Sequence, residues 1–162
     1  MTEPRPPVGT RLTRIGWETP EGLDEPLIRQ VVDAFYAAAR QDPLIGPIFN
    51  RVIPAERWPA HLATIADFWS SMLLGTGKYG GRPMPKHMAI PELDDAHFQR
   101  WLRLFRETVT RLCPPEIAEI FIERSERIGN SFRMNINMRR GNDITHMGPL
   151  EREKNPNWTP PE

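Results

Sequence analysis

The residues of this chain that could do chemistry are few: four histidines, His61, His87, His97 and His146, and a single cysteine, Cys113. An imidazole can move a proton or hold a metal near neutral pH, and a thiolate can attack or ligate. His61 falls on an apolar helical stripe one turn before Ile65. A lone histidine there is either a hydrogen-bonded core residue or a functional one. His87 follows the stiff segment Pro83-Met84-Pro85 and, unaided, reads as a surface-loop histidine. His97 sits in the first turn of a helix beside Asp94 and Asp95, and His146 in a polar tail, so both read as solvent-facing. Cys113 precedes Pro114-Pro115 at a helix end, the place of a structural thiol rather than a nucleophile. No HExxH or GxSxG occurs, and Gly80-Gly81 lacks the Lys-Ser/Thr of a phosphate loop. No motif therefore assures a catalytic residue.

The polar aromatic residues add a second clue. Tyr36 and Trp101 lie on helices whose other aromatic side chains, Phe35, Phe68, Trp69 and Phe105, read as core. A buried O–H or indole N–H needs a partner. Two histidines plus tyrosine and tryptophan donors on apolar helices describe a dry pocket with a few placed polar groups. Such a pocket suits a planar apolar cofactor with a histidine as iron ligand.

The elements that must position these groups read as helices. Asp24-Glu25-Pro26 opens the first, and Ile28, Val31, Val32, Phe35 and Ala39 recur at three- and four-residue steps before Asp42-Pro43 closes it. A turn-rich segment, Leu44 to Phe49, follows. The second long helix runs from about Arg57 or Pro59 to Leu74. On it His61, Ile65, Phe68 and Met72 share one stripe, and Leu62, Trp69 and Leu73 an adjoining one. Gly75 ends it, and Gly77 to Pro85 is a loop. Asp94-Asp95 caps a third helix carrying Phe98, Trp101, Leu102, Phe105, Val109 and Leu112. Beyond Pro114-Pro115 the last helix uses Ile117, Ile120, Phe121, Ile128, Phe132 and Ile136. The fold class is all-α, with four main helices.

Composition bounds the rest. The 162 residues favour one domain, and 21 basic against 21 acidic side chains give a net charge of zero. That balance offers no field to gather nucleic acid or an anionic membrane. One cysteine excludes an intrachain disulfide and a Cys-rich zinc site. No apolar run approaches the roughly 18–20 residues that cross a bilayer, and Met1 to Pro7 lacks a signal-peptide core. A cytoplasmic protein is expected. Prolines crowd both ends, giving three segments: a flexible N-terminal extension (1–22), the helical domain (23–140) and a polar C-terminal tail (141–162). Neither end buries enough apolar surface to offset its ordering entropy, with Ile15, Trp17 and Trp158 as side chains that could dock.

Set in order, these residues resemble a known family. Phe35-Tyr36, Asp42-Pro43-Leu44-Ile45-Gly46-Pro47-Ile48-Phe49, Trp58 and His61 resemble the first half of a group III truncated haemoglobin. The resemblance continues through Phe68-Trp69-Ser70-Ser71-Met72-Leu73-Leu74, Tyr79-Gly80-Gly81-Arg82-Pro83, His87, His97-Phe98 and Trp101-Leu102. It covers about Leu27 to Phe132 and leaves out both ends. It implies a truncated globin, a two-over-two helical sandwich, holding one haem b per chain. His87 then matches the proximal ligand of the haem iron, superseding its reading as a surface residue. Its other ring nitrogen should donate to a nearby carbonyl. Tyr36, His61 and Trp101 match distal positions, where the hydroxyl and indole can donate to the outer atom of bound O₂. His61 can gate the ligand or close onto the iron. Phe49, Ile65, Phe68 and Trp69 are the implied apolar haem contacts, and Arg82 or Lys86 the implied propionate partner.

The function expected on this ground is binding of O₂ and other diatomic ligands, for nitric oxide or peroxide redox chemistry rather than bulk oxygen transport. Delivery or sensing of O₂ by the same haem is the alternative. A peroxidase-like or nitric oxide-scavenging activity would need a reductase partner that the residues do not name. A haem-free helical interaction module is a further alternative, in which Tyr36, His61 and Trp101 simply pack. A non-haem metal site on His61 and His87 lacks the neighbouring carboxylates it would need.

Overall fold

The computed structural model describes residues 10–12, 18–81 and 90–160. Among the described residues five α-helices dominate: α1 (Glu25–Gln41), α2 (Gly46–Val52), α3 (Trp58–Leu74), α4 (Asp95–Leu112) and α5 (Pro115–Arg139), with one 3₁₀ turn at Ala55–Arg57. Local chemistry sets their ends. Asp24 caps α1 by accepting from the Leu27 N–H at 3.0 Å, ahead of proline in the first turn. Gly75 stops α3 in the left-handed conformation at φ 66°, where a side chain would be strained. Asp94 caps α4, and the His97 ring reaches back to the Asp94 backbone N–H at 3.2 Å. His97, expected at the surface, is thus spent on closing that helix end; its side chain is 14 % exposed.

The helices pack as two pairs, α1 on α3 and α4 on α5, joined by α1 against α4. Phe35, Phe105 and Phe121, each almost wholly buried, fill the centre with Ile28, Val31, Val109 and Ile117. Ile48, Leu93, Phe98 and Ile136 form a smaller cluster, with Leu150 of the C-terminal segment packed against it. Gly129 of α5 lies where an added methyl would meet the Leu102 side chain at 3.1 Å, so its missing side chain lets α4 and α5 close together.

Two features depart from the sequence reading. The turn-rich segment after Asp42 contains α2, begun by Gly46 and Pro47. Within the N-terminal extension, Thr10–Leu12 pairs antiparallel with Glu18–Pro20; strands of three residues carry no readable alternation. Ile15 and Trp17 lie outside the described residues.

The C-terminal tail has no apolar interior of its own, yet it lies along α4 and α5 through polar contacts. Arg100 Nε and Arg103 Nη1 donate to Glu153 Oε1 at 2.9 and 2.5 Å, and Arg106 Nη2 to the Glu153 carbonyl at 3.0 Å. Asn155 donates to Glu107 at 2.8 Å, and Arg152 grips Glu126 at 2.7 and 2.8 Å. Charge pairing, which apolar spacing cannot reveal, orders this segment.

Candidate functional site

The site begins with a column of rings. Trp69 of α3 and Trp101 of α4 stack on either side of Phe105, at 5.1 and 5.6 Å with interplanar angles of 11° and 5°. Phe35 stands edge-on to Trp101 at 5.5 Å and to Phe105 at 5.3 Å. Tyr36, the next residue along α1, stands beside this column with its ring 4.8 Å from that of Phe35. Aromatic packing thus fixes the two donors before any ligand is considered.

Tyr36 is buried, and the Trp101 indole acts on its phenol. Burial pushes the phenol pKa far up, outweighing the opposite effect of the Trp101 bond. The hydroxyl therefore keeps its proton at every ordinary pH. A phenol oxygen can accept one bond while donating another, so the Trp101 contact leaves the O–H available. Three further rings surround it: Phe49 at 5.6 Å, Trp58 at 5.8 Å and His61 at 6.0 Å.

The structure brings most of the expected residues together. Tyr36, Trp101, His61 and Phe49 form one aromatic neighbourhood. On α3 the stripe of His61, Ile65, Phe68 and Met72 is half-buried throughout, whereas Trp69 and Leu73 beside it are buried. Tyr79, just beyond Gly75, meets Phe68 edge-on at 5.4 Å. Trp69 is buried, edge-on to Phe68 at 5.9 Å and stacked on Phe105. His87, Arg82 and Lys86 lie outside the described residues. Among the described residues no cluster of three or more His, Cys, Asp or Glu is placed to hold a metal ion. Cys113 is buried, which pushes its thiol up to about 11 and leaves it unreactive.

No family model matches the chain. Among curated proteins, the group 3 truncated haemoglobin Ctb of Campylobacter jejuni is 35 % identical over 115 residues, spanning 70 % of this chain and 91 % of that one. The crystal structure of a group III truncated haemoglobin from Campylobacter jejuni matches the fold with a TM-score of 0.68 at 34 % identity, covering 72 % of this chain and 93 % of the other.

The chain belongs to the group III truncated haemoglobins.

Its α1–α3 and α4–α5 pairs are the two-over-two sandwich of a truncated globin, and membership of this family implies a globin-type haem-binding protein. The described residues of this truncated haemoglobin fit that group. A haem presents a flat apolar disc. The Ile65–Phe68–Met72 stripe is apolar surface that the core leaves half-covered. Next to its His61 end stand the buried Tyr36 and the half-buried Trp101.

Trp58 is the neighbour that sequence reasoning left without a role. Its ring is 5.4 Å from His61 and 6.3 Å from Phe49, and it is only 3 % exposed. The available signal was its place three residues before His61, which puts both on one side of α3.

Proposed function

We propose that this truncated haemoglobin holds one haem b per chain and binds O₂ and other diatomic ligands beside Tyr36. The observation that carries the reading is the buried Tyr36 hydroxyl, fixed by Trp101 and kept protonated by its surroundings. Bound haem supplies an iron able to take a diatomic ligand, and the chain supplies everything that decides how long the ligand stays.

His87 is the residue assigned to the iron, on the strength of its match to the family's proximal position. Ile65, Phe68 and Phe49 offer apolar contact to the disc, and Arg82 or Lys86 a charge for a propionate. Tyr36 donates its proton to the partly negative outer atom of a ligand, away from water, where such a bond is strong. Trp101 holds the phenol in position and is the second donor of the family pattern. His61, half-buried between Tyr36 and Trp58, stands where a gate would stand.

A pocket that grips O₂ retains it too firmly for bulk transport and suits redox chemistry on nitric oxide or peroxide. A reductase in the same compartment, which we take to be the cytoplasm, would supply electrons. The test is an absorption spectrum of the purified protein, oxidised and then reduced under carbon monoxide. A Soret band that shifts on carbon monoxide supports the reading; a chain that stays colourless after haemin is added ends it. His87→Ala should lose stable haem, and undiminished haem content would remove His87 from the ligand role.

A further inference from the structure

Trp58 carries an indole N–H that is buried and has no hydrogen-bond partner among the described residues. A buried donor without an acceptor forfeits its hydration and gains nothing in return, so native chains keep few of them. Here it occurs inside the neighbourhood assigned to ligand binding. The ring lies among Tyr36 at 5.8 Å, His61 at 5.4 Å and Phe49 at 6.3 Å.

A cation lies over the Trp58 ring. The Arg40 guanidinium lies 4.4 Å from the ring centroid, while Arg40 Nε is itself held by Asn50 Oδ1 at 3.2 Å. A cation over the ring draws electron density from it, which strengthens the N–H as a donor. Arg40, Asn50 and Trp58 also line a cleft of about 200 Å³ between the end of α1, α2 and the start of α3. The aromatic neighbourhood lies against the same indole.

The geometry points to Trp58 as a further ligand-contacting residue, whose unspent N–H donates to a diatomic ligand held beside Tyr36. This rests on the haem reading above. In that arrangement the Trp58 indole joins the Tyr36 hydroxyl and the Trp101 indole as donors to the guest. The specificity consequence is a preference for polar O₂ over carbon monoxide, because only the former develops much negative charge on its outer atom.

The experiment uses the haem-loaded full chain and the Trp58→Phe variant, which keeps a ring and removes the N–H. We expect unchanged haem content, O₂ dissociation faster by about tenfold, a smaller change for carbon monoxide, and a C–O stretching frequency shifted upward. A loaded variant with unaltered O₂ dissociation and stretching frequency overturns the inference while the haem reading stands. A wild-type chain that takes up no haem overturns both. Should the variant fail to hold haem, the wild-type holoprotein decides. On reduction and exposure to carbon monoxide the Trp58 indole ¹⁵N–¹H resonance should move and its hydrogen exchange should slow. An unmoved resonance with unaltered exchange overturns the assignment.

Discussion

Tyr36 and Cys113 are two buried acids that must stay neutral for the chain to stay folded. Burial raises both, the thiol from 9.0 to about 11 and the phenol well above its ordinary 10.0. A group whose folded pKa exceeds its unfolded one contributes stability below the unfolded value and loses it as pH rises toward the folded one. Unfolding free energy should therefore hold level to about pH 8.5 and fall beyond, first through Cys113 and then through Tyr36. Denaturant titrations from pH 7 to 11 check this. Cys113→Ala should remove the part that starts near 9.0 and Tyr36→Phe the part that starts near 10.0; equal slopes in all three chains would refute it. At neutral pH, Tyr36→Phe should speed O₂ escape. At this scale the sequence was readable for residue type and poor for partnership. Tyr36 and Trp101 announced themselves as polar rings on apolar helices, but nothing in the spacing said that both would stand against Phe35. Trp58 entered only as part of the family resemblance, and His97 passed as a surface histidine, because the Trp58 N–H without a partner among the described residues and the Asp94–His97 capping bonds exist only in three dimensions.

Elements meet at Asp42. It caps the end of α1, its carboxylate accepts from the Leu44 and Ile45 N–H groups at 2.9 and 3.0 Å, and Arg100 of α4 reaches both its oxygens at 3.0 and 3.2 Å. One side chain thereby fixes the exit of α1, the entry to α2 with Phe49, and the helix that carries Trp101. Burial, the largest single influence, raises its pKa, but the Ile45 N–H, Arg100 and the Leu44 N–H together outweigh it and hold the carboxyl below its usual range. A lowered folded pKa contributes stability above the unfolded value and loses it as pH falls through the folded one. Asp42→Asn keeps one acceptor, cannot pair with Arg100, and should cost roughly 2–4 kcal/mol at pH 7. The deficit should shrink below about pH 4, as measured by denaturant unfolding; a deficit independent of pH would mean that shape rather than charge is what Asn lacks. Helices were the most legible level because caps and periodicity are local. Asp24, Gly75 and Asp94 mark ends that the structure keeps. The seven-residue α2 was read as turn because Asp42-Pro43 and Gly46-Pro47 interrupt the chain while only one helical turn of apolar spacing is present.

Across the whole molecule, the C-terminal segment is a strap whose attachment is electrostatic. Arg100, Arg103 and Arg106 stand one turn apart along α4, and Glu153 serves all three through its carboxylate and carbonyl. Without Glu153 the three guanidinium groups would share a single helix face, with only Asp42 left to Arg100 and Glu107 to Arg103. Gln99 and Asn130 add bonds to the Glu151 carbonyl and the Leu150 N–H at 3.1 and 2.9 Å, and Leu150 contributes a modest apolar contact. Isolated surface pairs are worth about 0–1 kcal/mol, but a network sharing one acid is more than its separate pairs. Deleting residues 150–162 should therefore lower stability by about 1–3 kcal/mol. Haem content should be preserved, since the strap's bonds fall on Arg100, Arg103, Arg106 and Glu107 rather than on Ile65, Phe68 or Tyr36. Salt separates charge from burial as the cause. At about 1 M the screening length is roughly 3 Å, so the gap between full and shortened chains, measured by denaturant unfolding, should narrow from low salt to high. A gap that salt leaves unchanged would assign the strap's grip to Leu150 and Trp158, and the arginine row would then be a consequence of docking rather than its cause.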